Sequence, residues 1–128
     1  MPYFYSKVDD LDNSELVGDH QCVALVQYYA KAPLTGRWRQ GAVVLGARSL
    51  AKGTAIATFV AGKYESRRTG NHPALYVSQD AHGIWVVDQW KSAKKLRVEK
   101  RYIHSKGVKK NGQPIDPSNN ADAFFVIE

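Results

Sequence analysis

Hydrophobic and polar positions follow two different periods along this chain. Over residues 20–32 the apolar side chains recur at spacings of three and four, which predicts a helix with one apolar face. Asp19 precedes this segment as a predicted N-cap, and Pro33 prevents its extension. The chain therefore places one amphipathic helix ahead of most of its remaining sequence.

Downstream of Gly41 the pattern changes to short apolar and β-branched runs, which are bounded by turn residues and are typical of strands. We predict a hairpin turn at 79–83 and an interior position in the sheet for the last strand. The predicted strands are 42–45, 54–60, 74–78, 84–90, 96–103 and 123–127. One helix followed by an antiparallel sheet of five or six strands defines the α+β class.

The length of 128 residues predicts a single domain, 1–128. A hydrophobic content of 44% and a charged content of 23% are ordinary for a soluble globular protein. No apolar run approaches ~20 residues, so no membrane span is expected, and the N-terminus does not resemble a secretory signal peptide. One cysteine excludes an intramolecular disulfide framework and a multi-cysteine zinc site.

The net charge of +6 is unevenly distributed. Nine of the 18 basic residues lie between Lys91 and Lys110, where only Glu99 opposes them. Such a segment attracts polyanions such as nucleic acid, anionic lipid or a carboxylate-rich polymer, although it also fits a merely solvated face. No helix-turn-helix, zinc-finger or ribonucleoprotein motif accompanies it, so we do not expect a nucleic-acid partner.

The position of the cysteine is more informative. Cys22 falls about three residues into the predicted helix, where unpaired backbone N–H groups and the helix dipole stabilise a negative charge. A helix N-terminus and a nearby imidazolium favour the reactive thiolate of a cysteine. The alternative is that Cys22 is a small buried hydrophobe, since free cysteines are often buried.

A histidine and an acid or amide complete a candidate triad. His72 opens a predicted strand, and Pro73 fixes it in an extended conformation. Asp88 and Gln89 lie on the next strand of the same predicted hairpin, within reach of the imidazole. Strand alternation allows only one of the two to share a face with His72. The sequence favours Asp88 and leaves Gln89 open.

Four segments, in this order, resemble the NlpC/P60 and CHAP cysteine peptidases, which have a papain-like fold. They are residues 18–27 around Cys22, 53–59, 70–77 around His72 and 84–90 around Asp88. The stretches GTAIATF, GNHPALYV, VVDQW and NNADAFF resemble more closely the second family of type VI secretion amidase effectors. This resemblance covers residues 15–128, and Pro73 departs from the small residue expected there.

The resemblance implies a peptidoglycan amidase that cleaves the crosslink between D-alanine and meso-diaminopimelate. Cleavage of the γ-D-glutamyl–diaminopimelate bond is the alternative. It further implies a protein made in the bacterial cytoplasm without a signal peptide and exported by the type VI secretion apparatus. The protein would act in a rival's periplasm and be neutralised in the producer by a cognate immunity protein. No metal or organic cofactor is implied.

The residue types then suggest individual roles. Cys22 is the expected nucleophile, His72 the proton carrier and Asp88 the group that orients His72. The Cys22 backbone N–H is the expected oxyanion donor, with the Gln21 side chain as a second donor. Four further residues are candidates for substrate binding, although large aromatic residues more often serve the core: Trp38, Tyr64, Gln89 and Trp90.

Two other classes of function compete with this interpretation. One is a non-enzymatic basic module that binds polyanions through residues 91–110. The other is a thiol acyltransferase of the permuted branch of the superfamily. That branch places its histidine before its cysteine, whereas Cys22 precedes His72 here.

Overall fold

The computed structural model describes residues 2–65 and 69–128, and in these ranges one α-helix packs against a six-stranded antiparallel sheet. The strand order is β1-β6-β2-β3-β4-β5, so the last strand is interior, as predicted, and the α+β expectation is confirmed. The elements are α1 (Cys22–Ala30), β1 (Gln40–Val43), β2 (Ala55–Thr58), β3 (Pro73–Gln79), β4 (Gly83–Asp88), β5 (Glu99–His104) and β6 (Phe124–Ile127).

The start of the helix was predicted too early. Gly18 and His20 have left-handed φ angles of 59° and 70°, so the chain turns sharply before it enters α1. Asp19 does not cap the helix; its Oδ1 accepts the backbone N–H of Gln21 at 3.0 Å, which closes a local Asx turn. Gln21 is the N-cap, and Cys22 is the first helical residue rather than the third.

Every strand differs from its predicted range by one to three residues at one or both ends, and two of the differences bear on the site. The strand predicted over 84–90 ends at Asp88, and the strand predicted over 96–103 begins at Glu99. The turn between β3 and β4 is confirmed, since Asp80 Oδ1 accepts the N–H groups of His82 and Gly83. The early end of β4 leaves Gln89 and Trp90 outside the strand and next to the helix N-terminus.

The sheet is buried on both faces. Helix residues such as Leu25 and Val26 pack on one face with Leu75 and Val87. On the opposite face, the neighbouring strand positions Ala74, Tyr76 and Val86 form a second core with Phe124 and Val126. Burial on both faces makes the central strands rigid, which suits them to hold polar side chains at fixed positions along their ends.

Candidate active site

Cys22 lies where the helix begins, and its side chain is half-buried. The N–H groups of the first helical turn have no partner one turn earlier, so they and the helix dipole create a positive environment. The loop before the helix packs closely on α1 at Gly18, because a Cβ on Gly18 would lie only 2.8 Å from the Cβ of Ala24. This close packing helps to fix the position of Cys22. The local fold thus places the thiol at the end of α1 that stabilises a thiolate.

His72 is anchored through its backbone just before β3. Its N–H donates to Thr58 Oγ1 at 2.9 Å, and its carbonyl accepts the Thr58 N–H at 3.1 Å. Pro73 then begins β3 opposite Ala57. The imidazole is buried, and it lies close enough to Cys22 for the cysteine to raise its pKa.

The register of β3 and β4 decides between Asp88 and Gln89. Leu75 pairs with Val87, so one place further Asp88 shares a face with Ala74 and, diagonally, with His72. His72 Nε2 and Asp88 Oδ2 are 2.8 Å apart, and Asp88 is completely buried. Because Nε2 is engaged by the carboxylate, Nδ1 is the ring nitrogen left for the thiol. The structure therefore brings together Cys22, His72 and Asp88.

The side chain of Gln89 points away from His72 and Asp88, and it has different hydrogen-bond partners. Its Oε1 accepts the Val17 N–H at 3.0 Å, while its Nε2 donates to the carbonyls of Val17 at 3.1 Å and Gln21 at 2.8 Å. It is completely buried. Gln89 therefore holds the loop that leads into Cys22 and is not positioned to line a substrate groove.

Two basic residues that the sequence had placed in a surface patch contact the active site instead. Arg101 Nε donates to Asp88 Oδ2 at 2.7 Å, and Lys95 Nζ lies 3.8 Å from Asp88 Oδ1. Val86 pairs with Arg101, which puts Arg101 on the same face of the sheet as Asp88. Pairing the predicted strands 84–90 and 96–103 would have placed Arg101 beside the strand that carries Asp88. Because a buried carboxylate requires a counter-charge, this pairing could have identified Arg101 as a residue of the site.

The predicted aromatic residues separate into three environments. Tyr64 is half-buried and lies close enough to Cys22 for the cysteine to raise its pKa, so it lies at the site. Trp38 is only 5% exposed, donates its indole N–H to the Pro33 carbonyl and packs on Tyr64 at 4.7 Å between ring centroids. It belongs to the core and supports Tyr64, contrary to the expectation that it lines a groove.

Trp90 is the exposed aromatic residue beside the triad. Its indole is 37% exposed and meets the His72 ring edge-on, with centroids 6.1 Å apart. Lys95 Nζ lies 4.0 Å and Arg101 Cζ 5.2 Å from the Trp90 ring centre, which are cation–π distances. Trp90 thus shields His72 and presents one edge to solvent.

The triad residues shift one another's pKa values. Burial lowers the pKa of His72, but hydrogen bonds to Asp88 and Cys22 and the charges of both outweigh it, so the pKa lies above its usual value. Burial raises the pKa of Asp88, yet the His72 hydrogen bond and the charges of His72 and Arg101 hold it below its usual value. Burial and the neighbouring Cys22 raise the pKa of Tyr64.

The raised pKa of His72 predicts a pH-dependent stability. Its contribution is fully present below the unfolded pKa of about 6.5 and is lost as the pH rises through the higher folded value. We expect the free energy of unfolding of the wild type to fall over that window, relative to His72→Asn. Urea unfolding of both proteins at a series of pH values measures this difference, and parallel curves would contradict it.

Comparison with known proteins identifies the family. The model of the family described as domesticated amidase effector 2 matches residues 6–127. The chain belongs to this amidase effector family. It is 47% identical to the type VI secretion amidase effector 2 protein of Salmonella typhi, with all of both chains aligned. It is 36% identical to domesticated amidase effector 2 of Ixodes scapularis, over 88% of this chain and 73% of that protein.

A solved structure is also similar. The type 6 secretion amidase effector 2 structure superimposes with a TM-score of 0.92 at 45% identity, covering 98% of this chain and 94% of the other. The α+β, papain-like fold expected from the sequence is thereby confirmed. Within residues 2–65 and 69–128, no helix is long and apolar enough to cross a membrane. In the same ranges, no cluster of three or more His, Cys, Asp or Glu side chains is arranged to hold a metal ion.

Proposed function

We propose that this chain is a cysteine amidase that hydrolyses the peptides of peptidoglycan. One observation carries the proposal: a thiol at a helix N-terminus lies beside a buried imidazole whose pKa it shifts, and a fully buried carboxylate holds that imidazole through Nε2. This is the arrangement that nucleophilic acyl transfer requires. Membership of the amidase effector family supports the choice of an amide substrate.

The first half of the reaction forms a thioester. His72 accepts the thiol proton through Nδ1, and the Cys22 thiolate attacks the carbonyl carbon of the scissile amide. The imidazolium then donates its proton to the leaving nitrogen, and the C–N bond breaks. Asp88, bonded to Nε2 at 2.8 Å, fixes the ring and stabilises the imidazolium during both transfers.

The second half returns the enzyme to its starting state. Neutral His72 takes a proton from water, and the resulting hydroxide attacks the thioester carbon. The C–S bond breaks, the carboxylic acid product leaves and loses its proton to solvent, and the thiolate recovers its proton from the imidazolium. Each step moves one proton through the same Nδ1, so no further acid or base is needed.

Gln21 is the proposed second donor to the oxyanion, beside the Cys22 N–H. Its side chain is exposed and makes no hydrogen bond within the described residues, while its backbone is held by Asp19 and Gln89. We expect Gln21→Ala to lower kcat by roughly 10²-fold with a small change in KM, as for loss of one oxyanion donor. Steady-state kinetics on a crosslinked muropeptide dimer test this, and an unchanged kcat would remove Gln21 from the oxyanion site.

Two clefts lined in part by residues that are close to Cys22 in the sequence offer room for the two sides of a branched peptide. A cleft of about 400 Å³ runs along the start of α1 and is lined by Asp19, Gln21, Val23 and Tyr28, among others. A second cleft of about 500 Å³ is lined by residues that include Leu16, His20, Lys91 and Leu96. Two lysines line the second cleft, the buried Lys95 and the exposed Lys91, and the exposed one favours a substrate that carries carboxylates, as wall peptides do.

We propose the D-alanine–meso-diaminopimelate crosslink as the bond cleaved. Crosslinked sacculi incubated with the protein should lose dimeric muropeptides and gain intact monomer stems, as read by mass spectrometry. Accumulation of stems that end at D-glutamate would instead assign the γ-D-glutamyl–diaminopimelate bond. The same spectra from Cys22→Ala protein provide the control.

We propose that the protein acts in the periplasm of a rival cell after type VI delivery, and that an immunity protein blocks the site in the producer. The similarity to type VI secretion amidase effector 2 supports this. Expression with a periplasmic leader should lyse a Gram-negative host, whereas cytoplasmic expression should not. Equal lysis from the cytoplasm would contradict an action on the cell wall.

A further inference from the structure

Lys95 is buried in the middle of the basic segment. Its side chain is only 4% exposed, although lysines are almost never fully buried unless they are paired. The ammonium group lies 3.8 Å from Asp88 Oδ1, 3.2 Å from Glu99 Oε1 and 4.0 Å from the Trp90 ring centre. The buried ammonium group therefore faces Asp88, the carboxylate that holds His72.

The carboxylate of Asp88 has two oxygens with different partners. Oδ2 accepts from both His72 Nε2 and Arg101 Nε, at 2.8 and 2.7 Å. Oδ1 is buried and is the one buried side-chain polar atom without a hydrogen bond among the described residues. Lys95 Nζ lies 3.8 Å from it, within ion-pair distance. The charge on this oxygen is therefore balanced by an ion pair and not by a hydrogen bond.

We infer that Lys95 and Arg101 are positioning residues that keep Asp88 ionised and aim its Oδ2 at His72 whether or not His72 is protonated. The inference rests on the proposed cysteine–histidine chemistry and extends it. During turnover His72 must exist both as imidazolium and as neutral imidazole. With neutral His72 and no other cation, Asp88 would be an uncompensated buried charge, which costs several kcal/mol. The two cations remove this cost.

Arg101 is itself held in place from a third segment. Its Nη1 donates to Asn119 Oδ1 at 3.1 Å and its Nη2 to the Ser118 carbonyl at 3.4 Å. The nearby Asp116 accepts hydrogen bonds from Lys106 and Asn119, and the charge of Arg101 also helps to lower its pKa. A guanidinium fixed at both ends positions its acceptor more sharply than a mobile one does. Through Arg101, β5 and the turn at residues 117–119 thus hold Asp88 in position, in addition to its own strand β4.

The charged and titratable groups around the triad determine the sign of the effect. Asp88 faces His72, Lys95 and Arg101, Lys95 also faces Glu99, and His72 faces Cys22, which contacts Tyr64. Loss of the Lys95 charge removes a cation that disfavours proton binding by the His72–Asp88 pair. Lys95→Met should therefore raise the pH at which His72 loses its proton, by about 0.5–1 pH unit.

The test is a titration of His72 by NMR of isotope-labelled imidazoles in full-length Cys22→Ala protein, with and without Lys95→Met. The thiol is absent, so the readout does not depend on whether the protein cleaves peptidoglycan. Lys94→Met removes the same charge from the adjacent, exposed position and should leave the His72 titration unchanged. Arg101→Gln, at a side chain that is 24% exposed, is the second variant if Lys95→Met does not fold.

With Cys22 present, Lys95→Met should lower kcat about 10-fold, with KM nearly unchanged and the alkaline limb of the rate profile moved upward. A merely structural lysine would lower stability without moving either titration. An unmoved His72 titration in folded Lys95→Met, or an equal shift in Lys94→Met, would overturn the inference. Failure of the wild type to cleave peptidoglycan would overturn the proposed function and leave the NMR result intact.

Discussion

Cys22→Ala should lose at least about 10⁴-fold in amidase activity while remaining folded. No other cysteine exists in the chain to replace the nucleophile, so only binding and oxyanion contacts would remain. The substitution removes one sulfur from a half-buried position, which costs about 1 kcal/mol or less in stability. Hydrolysis of a purified crosslinked muropeptide dimer, followed by chromatography, measures the loss, and thermal unfolding verifies the fold.

A matched control separates the nucleophile from its surroundings. Val23→Ala shortens the next helical residue and leaves the thiol, the N-terminal amides and His72 in place. Because Val23 also lines the cleft along the start of α1, the substitution is expected to change KM, whereas kcat should stay within a few-fold of the wild type. Residual activity in Cys22→Ala equal to that of Val23→Ala would mean that the thiol is not the attacking group.

Asp88→Asn carries the second largest expected effect. The amide keeps the volume of the carboxylate but loses the charge that fixes the His72 ring and stabilises the imidazolium, so kcat should fall by about 10³–10⁴-fold. The protein should also lose about 3–5 kcal/mol of stability, because Lys95 and Arg101 then lack their shared buried anion. Steady-state kinetics and urea unfolding measure the two losses independently.

The control for this variant is Asp80→Asn in the turn between β3 and β4. Asp80 is exposed and bonded to Tyr102 and to turn amides, at the opposite end of β4 from Asp88. The hydrogen bonds from Tyr102 and His82 lower the pKa of Asp80, and the hydrogen bond to Asp80 raises the pKa of Tyr102 to about 12, so the change has a local electrostatic effect. Full activity in Asp80→Asn and near-zero activity in Asp88→Asn would support the assignment; comparable kinetics would contradict it.

The parts of the site that could be predicted lie on regular elements. The β-branched runs located the central strands, and the three- and four-residue period located α1. Pro73 and strand alternation then limited the partner of His72 to two neighbours. Which of them faces His72 depends on the β3–β4 register, and a single residue of slip would have exchanged Asp88 for Gln89.

The parts that could not be predicted depend on contacts between distant segments. The left-handed φ of His20 is rare for a non-glycine residue, so the helix start was placed too early. Lys95 and Arg101 sit in a sequence that indicates a solvated basic patch, yet both turn toward Asp88. The pairing of β4 with β5 brings Arg101 there, and Lys95 reaches Asp88 from the segment between these two strands. The other seven of the nine basic residues are left for other roles.

The chain has one cysteine, so alkylation of that residue tests the central claim most directly. The protein is treated with limiting iodoacetamide, the alkylated fraction is read from the intact mass, and hydrolysis of a crosslinked muropeptide dimer is measured on the same samples. We predict that activity falls in proportion to the singly alkylated fraction and reaches zero at one group per chain. Full activity in completely alkylated protein would contradict a mechanism that depends on the Cys22 thiolate.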